Sequence, residues 1–187
     1  SFTITFPIFG WVLSAVAAIT LLIGNLTALN QDSFKRMLAF SGISHAGYML
    51  LAILSLYGNT SNSLFYYALA YGVSSIGAFA IAIAIAKYAG TDKIEGFNGL
   101  AKKSPFMAVA LTLCMLSMAG IPPFAGFFAK YFIFSEAIRN GHLGLTVLGV
   151  VSSIIGVYYY FKVIVVMYTA EPSEKPLELN LSYSLII

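Results

Sequence analysis

The chain has 187 residues, of which 59% are apolar and only 9% are charged. Because soluble proteins carry roughly 25% charged residues, this composition excludes a water-soluble globular domain and indicates a protein that crosses a membrane several times. The formal net charge of +3 is distributed over several loops, which excludes a nucleic-acid-binding surface, since such a surface needs a concentrated basic face.

Five apolar segments follow one another along the chain. They cover residues 7–29, 37–57, 64–88, 104–138 and 143–168, and we name them A to E. Each is long enough to cross a hydrocarbon core of about 30 Å as a helix. The segments lack the alternation of apolar and polar residues that membrane strands show. The sequence therefore predicts an all-α polytopic membrane protein.

The two ends of the sequence lack the features of natural termini. There is no initiator methionine or signal-peptide pattern at the start, and residues 179–187 are typical of the start of a further membrane helix that is cut short. We therefore expect a fragment of a longer protein, in which residues 1–178 form one unit of five segments.

Positive charges are concentrated in alternate connections between the segments. The connections after A and C and the tail after E contain Lys35, Arg36, Lys87, Lys93, Lys102, Lys103 and Lys175. The connection after B has no charge, and the one after D has only Arg139 and His142. If each segment crosses once, the positive-inside rule places the first set of connections in the cytoplasm.

Segment D is too long for one straight crossing, because a helix of roughly 35 residues extends about 52 Å. Its interior contains Gly120, Pro122 and Pro123. The two prolines remove two N–H donors, so the carbonyls of Met118 and Ala119 lose their helix partners. We expect a discontinuous helix that faces the protein interior, as in transporters. An ordinary proline kink is the alternative.

Lys130 lies seven residues after Pro123 among apolar, aromatic and glycine residues. A lysine at the centre of a membrane helix costs about 2.5 to 3.5 kcal/mol on insertion scales, and such residues usually face the interior and serve a function. The alternative is a snorkelling side chain that reaches the interface. We take Lys130 as the principal candidate site residue.

Polar side chains recur at helical spacing on several segments. The stripes contain Ser41, Ser44, His45 and Tyr48 on B, Tyr67, Tyr71, Ser74 and Ser75 on C, Ser117 on D, and Ser152, Ser153 and Tyr160 on E. Such stripes point at protein or water. Taken singly, each stripe favours close packing between membrane helices over a proton pathway. His45 can bind and release protons near its ordinary pKa of about 6.5, or it can be a hydrogen-bonded structural residue.

Motifs for covalent catalysis are missing from the sequence. There is no paired carboxylate site, metal-ligand cluster or phosphate-binding loop. The one cysteine, Cys114, cannot form a disulfide within the chain or ligate an iron–sulfur cluster alone. We therefore expect no metal or cofactor in this chain, and the remaining function is movement of a small cation, most simply H⁺.

Three stretches resemble the antiporter-like subunits of respiratory complex I, and most of all those of the subunit N type. They are NLTALNQDSFKRMLAFSGISHAGY at 25–48, FYYALAYGVSSIGAFA at 65–80 and LSMAGIPPFAGFFAKY at 116–131. Their order and spacing match the family over most of the chain. Two residues depart from the family pattern, because Phe40 stands where Tyr is frequent and Gly42 where Ser is frequent.

The resemblance implies an antiporter-like fold in which segments A to E are family helices 9 to 13, the second of two inverted five-helix repeats. Lys130 then matches the lysine of the broken helix, and His45 the histidine of a central polar axis. Supporting positions in this axis are Ser41, Ser44, Tyr48, Tyr71, Ser74, Ser75 and Ser117. The glutamate and lysines of the first repeat lie outside this sequence.

The resemblance also implies a proton-translocating subunit in the membrane arm of NADH:quinone oxidoreductase. NADH, FMN, iron–sulfur clusters and quinone would be bound by partner subunits. The expected partners are an adjacent M-type subunit, small K-type and J-type subunits, and the lipid of a bacterial inner membrane rather than an organellar one. The alternatives are a subunit of a multi-subunit cation/proton antiporter or membrane-bound hydrogenase, or a structural subunit without its own proton path.

Overall fold

The computed structural model describes residues 2–55 and 60–171, with side chains from 8–55 and 62–171. The predicted start of a further helix at 179–187 lies outside the described residues. So do residues 56–57 at the end of segment B and the last residues, 172–178, of the predicted five-segment unit.

Helices account for nearly all of the described chain. They are α1 (Phe2–Leu29), α2 (Phe34–Leu54), α3 (Thr60–Ala89), a 3₁₀ turn (Ile94–Phe97), α4 (Leu100–Lys103), α5 (Pro105–Ala119), α6 (Ala125–Arg139) and α7 (Leu143–Thr169). Four of them, α1, α2, α3 and α7, contain spans long and apolar enough to cross a membrane. No extended strand occurs in residues 2–55 and 60–171. The predicted all-α polytopic class is confirmed.

Segment D forms two separate helices, α5 and α6, of 15 residues each. Each extends about 22 Å, which is less than the thickness of a hydrocarbon core. Helix α5 ends in a glycine cap: Gly120 has a φ of 82°, and its amide donates to the carbonyls of Leu116 (3.1 Å) and Ser117 (3.0 Å). A positive φ favours glycine, so the sequence ends α5 before the prolines. The predicted broken helix is confirmed, and a simple kink is not what forms.

The interior is arranged in three layers along the helix axes. One apolar cluster lies toward the end that contains the start of α2 and includes Phe34, Met37 and Leu111. A second lies further along α2 and includes Leu51 and Ile133. The buried polar residues of α1, α2 and α3, namely Asn25, Ser41, Ser44, His45 and Ser74, fall between the two clusters in chain position. The apolar clusters therefore enclose a polar layer near mid-height.

Many large apolar side chains point outward from the bundle. Trp11, Phe65, Ile76 and Phe106 are each more than 70% exposed. An exposed apolar surface of this kind is unfavourable in water and favourable in hydrocarbon. It supports the membrane setting that the composition predicts.

The connections between helices gather at two ends of the bundle. At one end, Lys102 next to α5 forms an ion pair with Glu171 beyond α7, at 3.4 Å. The connection between α1 and α2 pairs with the connection after α3 at this same end. At the other end, Asn140 donates to the carbonyl of Ser55 at 3.3 Å. The described connections that the charge pattern assigns to the cytoplasm thus share one end.

Ser33 holds the start of α2 and links it to the loop after α3. Its hydroxyl accepts a hydrogen bond from the amide of Arg36 (3.3 Å) and donates one to the carboxylate of Asp92 (2.6 Å). The hydrogen bond from Ser33 is the main reason that the pKa of Asp92 lies below its ordinary value. Because the pKa is lowered on folding, the stability from this bond is fully present above the ordinary aspartate pKa and is lost as the pH falls through the lowered one.

We predict that Ser33→Ala destabilises the subunit by about 0.5 to 2 kcal/mol, the usual cost of losing a helix N-cap. The measurement is the thermal unfolding midpoint of the purified full-length subunit at neutral pH, where Asp92 is ionised. Ser104→Ala is the matched control, because Ser104 precedes α5 without a capping bond from its side chain. Equal effects of the two variants would contradict the assigned cap.

A second prediction concerns the contact between α1 and α2. A Cβ atom added at Gly24 would lie 2.6 Å from the backbone nitrogen of Ser44, so Gly24→Ala must push the two helices apart. We expect destabilisation of about 1 to 3 kcal/mol, typical of overpacking, in the same unfolding measurement. Gly10→Ala on the same helix is the control, because no atom lies within 4 Å of its added Cβ. Its effect should be neutral or slightly stabilising.

Candidate functional site

Lys130 lies on α6, and its ammonium group is directed at the end of α5. The Nζ atom donates to the carbonyls of Met118 (3.1 Å) and Ala119 (3.0 Å) and to the hydroxyl of Ser153 on α7 (2.8 Å). The residue is only 7% exposed, so the ammonium does not extend to the surface of the bundle. The two carbonyls are those that the helix break frees, and the negative end of the α5 dipole adds to their attraction for a cation.

Two glycines allow this approach of α6 to α5. The side chain of Lys130 passes over Gly120, where an added Cβ would lie 3.0 Å from Lys130 Cδ. At the start of α6, a Cβ on Gly126 would overlap the carbonyl oxygen of Ser117. Only glycine fits at this second position, and it sets how closely Lys130 can reach the end of α5.

The ammonium group also faces an aromatic ring of α2. Lys130 Nζ lies 5.1 Å from the centroid of the Tyr48 ring, which is within range of a cation–π interaction. The hydroxyl of Tyr48 donates to the carbonyl of Gly149 at 3.3 Å. Tyr48 thus joins α2 to the lysine on α6 and to the backbone of α7.

His45 is buried between two tyrosine hydroxyls. Its Nδ1 atom lies 2.7 Å from the hydroxyl of Tyr67, and its Nε2 atom 3.4 Å from that of Tyr160. The ring of Tyr71 stacks on the imidazole with centroids 4.2 Å apart. A neutral imidazole has one donor and one acceptor nitrogen, and hydroxyls can partner both.

The predicted serines occupy different environments. The hydroxyls of Ser41 and Ser44 donate to carbonyls of their own helix, Leu38 (2.7 Å) and Ser41 (2.8 Å). Ser74 donates to the hydroxyl of Ser117 at 2.9 Å and so connects α3 to α5. These four side chains are buried.

Ser75 and Gly42 differ from the other predicted positions. Ser75 is half-buried, and within the described ranges the structure gives it no hydrogen bond to a site residue. At Gly42, where the family pattern often has Ser, an added Cβ would lie 2.9 Å from the hydroxyl of Tyr71. The glycine therefore leaves room for the tyrosine that covers His45.

A small cavity joins the surroundings of the two titratable residues. It has a volume of about 10 Å³ and is lined by His45, Tyr67, Ala70, Tyr71, Ser117, Met118, Gly126 and Ala129. A cavity of that volume is just large enough to hold one water molecule. The cavity thus lies between His45 and Met118, whose carbonyl accepts a hydrogen bond from Lys130.

Five residues of the site were not among the predicted site residues. They are Asn25, Tyr67, Ser153, Tyr159 and Tyr160. Tyr67, Ser153 and Tyr160 lie on the polar stripes noted above, but the stripes alone did not separate packing from site. Asn25 and Tyr159 were missed: both are buried, and the hydroxyl of Tyr159 donates to Asn25 Oδ1 at 3.1 Å. The available signal was an amide side chain inside the long apolar segment A.

Comparison with known proteins places the chain in a family. Residues 2–156 match the model of the NADH:quinone oxidoreductase/Mrp antiporter transmembrane family. NADH-quinone oxidoreductase subunit N of Cytophaga hutchinsonii is 44% identical over 159 residues, which are 85% of this chain and 35% of that protein. The corresponding subunit of Flavobacterium psychrophilum is 42% identical over 175 residues, which are 94% of this chain and 38% of that protein.

Solved structures give the same result. Respiratory complex I from Thermus thermophilus with bound aureothin contains a chain that matches with a TM-score of 0.74 and 38% identity, over 88% of this chain and 37% of that one. The Mrp complex from Dietzia sp. matches with a TM-score of 0.83 and 31% identity, over 88% and 31%. The chain spans about a third of the length of these relatives.

The relatives of this chain include subunits of complex I. The chain itself has a broken helix, a buried lysine on the second half of that helix, and a histidine held between tyrosines. The chain is a multi-pass membrane protein that belongs to the NADH:quinone oxidoreductase/Mrp antiporter transmembrane family, and it is similar to antiporter-like subunit N of respiratory complex I.

Proposed function

We propose that this chain moves protons across the membrane as part of a subunit in the membrane arm of NADH:quinone oxidoreductase. The observation that carries the proposal is the buried ammonium of Lys130, which is held by two carbonyls at the end of a broken helix inside the bundle. A charge in such a place is costly unless it is well partnered, and the chain provides three partners for it.

Lys130 is well placed both to hold a proton and to release one. As an ammonium it donates three hydrogen bonds, to two carbonyls and the Ser153 hydroxyl. As a neutral amine it gains a lone pair that can accept a hydrogen bond from Ser153, because a hydroxyl can both donate and accept. Because both protonation states of Lys130 have hydrogen-bond partners, nearby charges can shift the equilibrium between the ammonium and the neutral amine.

His45 is the second titratable group of the proposed path. The ring of Tyr48 lies between contacts with both groups, 5.1 Å from Lys130 Nζ and 5.9 Å from the centroid of the His45 ring, and like charges in a region of low dielectric repel strongly. Protonation of one group therefore disfavours protonation of the other. A water molecule in the small cavity would lie beside His45 and Met118, whose carbonyl holds Lys130, and would relay protons between the two titratable groups.

We propose that the redox chemistry takes place in partner subunits. NADH, FMN, iron–sulfur clusters and quinone would be bound there, and this chain would respond to their reactions through charge. The partners in the membrane arm would be an adjacent M-type subunit and small K-type and J-type subunits, in a bacterial inner membrane. The names of the relatives in Cytophaga and Flavobacterium support a place for this chain among the subunits of such a complex.

A second candidate is a subunit of a cation/proton antiporter, favoured by the structural match to an Mrp complex. The two candidates differ in what drives transport. Proton movement that requires NADH oxidation supports the first, whereas proton movement driven by a sodium gradient without NADH supports the second.

We predict that Lys130→Met abolishes or strongly reduces proton pumping while the complex still assembles. The measurement is the pH gradient formed by membrane vesicles during NADH oxidation, with the full-length subunit in its complex. The reason is that an apolar side chain of similar length cannot carry a proton. Lys130→Arg should also fail to pump, because a guanidinium keeps its charge and is not deprotonated in proteins.

Lys162→Met provides the control, because Lys162 is an exposed lysine of α7. It should pump normally. Normal pumping by Lys130→Met or Lys130→Arg in an assembled complex would overturn the proposed function and favour a structural subunit.

We also predict that Tyr67→Phe slows proton pumping several-fold without preventing assembly. The variant removes only the hydroxyl that lies 2.7 Å from Nδ1 of His45, so the imidazole loses the partner that fixes its orientation and tautomer. Tyr66→Phe is the matched control, because Tyr66 packs against Phe132 away from His45. If the two variants pump equally well, the hydrogen bond between Tyr67 and His45 has no part in transport.

A further inference from the structure

A cavity of about 260 Å³ opens at the end of the bundle that the charge pattern assigns to the cytoplasm. Its walls come from three separate parts of the chain: the connection after α1, the 3₁₀ turn after α3 and the last part of α7. We name it the loop cavity. One water molecule needs only about 10 to 15 Å³ on the same measure, so the loop cavity can hold a larger ligand.

Backbone hydrogen bonds fix the three walls against one another. The amide of Ile94 donates to the carbonyl of Asp32 at 2.8 Å, and the amide of Gly99 donates to the carbonyl of Val166 at 3.3 Å. The side chain of Ile94 is buried in the apolar cluster that contains Phe34. The loop cavity is therefore part of the fold rather than a gap between independent loops.

Four charged side chains and one amide line the loop cavity. The cations are Lys93 and Lys162, the anions are Asp32 and Glu95, and the amide is Asn98. Among residues 8–55 and 62–171, none of these four charges takes part in an ion pair. A ligand with charge of only one sign would be repelled by two of the groups and would leave the other two as its only partners. The lining therefore favours a ligand that carries both a positive and a negative charge.

The position of Lys162 indicates that the ligand comes from the bilayer. Lys162 lies seven residues before the end of α7 at Thr169, which is about 10 Å along the helix. Tyr158 and Val165, one turn away on either side, are each more than half exposed, so Lys162 belongs to a lipid-facing stripe of α7. A lysine in such a place extends its ammonium toward the head-group region, and basic pockets on the cytoplasmic side bind lipid head groups.

We propose that the loop cavity binds the head group of a phospholipid that carries a phosphate and a primary ammonium, as phosphatidylethanolamine does. In this assignment the phosphate accepts hydrogen bonds from Lys93, Lys162 and the Asn98 amide. The ammonium of the lipid donates to the carboxylates of Asp32 and Glu95, and the acyl chains lie on the exposed stripe of α7.

The charges of the lining also distinguish this head group from other common ones. A glycerol head group carries no cation for the two carboxylates. The quaternary ammonium of choline has the same charge as ethanolamine but no N–H group to donate. The proposal does not depend on proton transport, because the loop cavity lies at the end of the bundle, away from Lys130 and His45.

The test is a competition for a light-activated lipid. The complete complex is placed in phosphatidylcholine vesicles that contain a small fraction of phosphatidylethanolamine with a diazirine in one acyl chain. After illumination, mass spectrometry of peptides measures how much of the segment around Lys162 carries the probe. We expect added unlabelled phosphatidylethanolamine to reduce this labelling several-fold. The same amount of phosphatidylglycerol or of further phosphatidylcholine should leave it unchanged.

Three results with the wild-type complex would overturn the proposal. Without any labelling of this segment, the loop cavity is not a lipid site. Equal competition by phosphatidylglycerol would show that the two carboxylates do not recognise an ammonium. Soluble phosphoethanolamine has the same charged groups without acyl chains, and if it competes as strongly as the lipid, the ligand does not come from the bilayer.

A charge-neutralising variant tests which side chains select the head group. The double substitution Asp32→Asn and Glu95→Gln keeps the shapes and removes both negative charges. Phosphatidylglycerol should then compete several-fold more strongly than in the wild type, and phosphatidylethanolamine should lose its advantage. Glu171→Gln is the matched control, because Glu171 is an exposed carboxylate at the same end and is not part of the lining. An equal change in both variants would contradict the assigned roles.

A second variant tests the phosphate partners. Lys93→Gln should lower the labelling by the phosphatidylethanolamine probe several-fold, whereas Lys87→Gln should not, because Lys87 is an exposed lysine of α3 outside the lining. Equal labelling of the two variants would contradict the role of Lys93. If a variant does not assemble, the competition series with the wild-type complex decides the question alone. None of these measurements uses NADH, so the lipid site and the proposed function can fail independently.

Discussion

The structure depends on one interaction, the contact of the Lys130 ammonium with carbonyl groups at the end of α5. The carbonyls of Met118 and Ala119 have no helix partners because Pro122 and Pro123 cannot donate. In hydrocarbon an unpartnered carbonyl and an isolated ammonium are each costly. The ammonium donates hydrogen bonds to both carbonyls. The broken helix and the buried lysine therefore stabilise one another and form one structural feature.

The apolar residues determine where this polar feature can lie. Two apolar clusters, one around Phe34 and Phe97 and the other around Leu51 and Ile133, lie on either side of the polar layer. They keep its hydrogen bonds in a region of low dielectric, where charges act on one another strongly. The close helix contacts at Gly24 and Gly126 hold the members of the layer at hydrogen-bond distance.

The sequence predicted the features that depend on rare residues in an apolar background. Lys130 and His45 stand out because titratable groups are expensive inside a membrane, and the helix break follows from the backbone chemistry of Pro122 and Pro123. The fold class follows from hydropathy and length. The roles of these residues in proton transport remain proposals, as does the assignment of segments A to E to family helices 9 to 13.

The remaining features depend on contacts between distant parts of the chain. Asn25 and Tyr159 are 134 residues apart, and no local pattern in either segment shows that they meet. Ser74 and Ser75 belong to one polar stretch, but neighbouring residues of a helix point about 100° apart, so only Ser74 reaches Ser117. Helix periodicity could select a face of α3 but could not decide which of two adjacent serines lies on it.

The central claim is that Lys130 gains and loses a proton in the protein interior during turnover. Infrared difference spectroscopy of the assembled complex, with ¹⁵N-labelled lysine and alternation between oxidised and NADH-reduced states, measures this most directly. If Lys130 changes its protonation state, a label-sensitive ammonium band changes between the two states in the wild type and is absent from the difference spectrum of Lys130→Arg. The same band in both complexes, or no lysine band in the wild type, would contradict it.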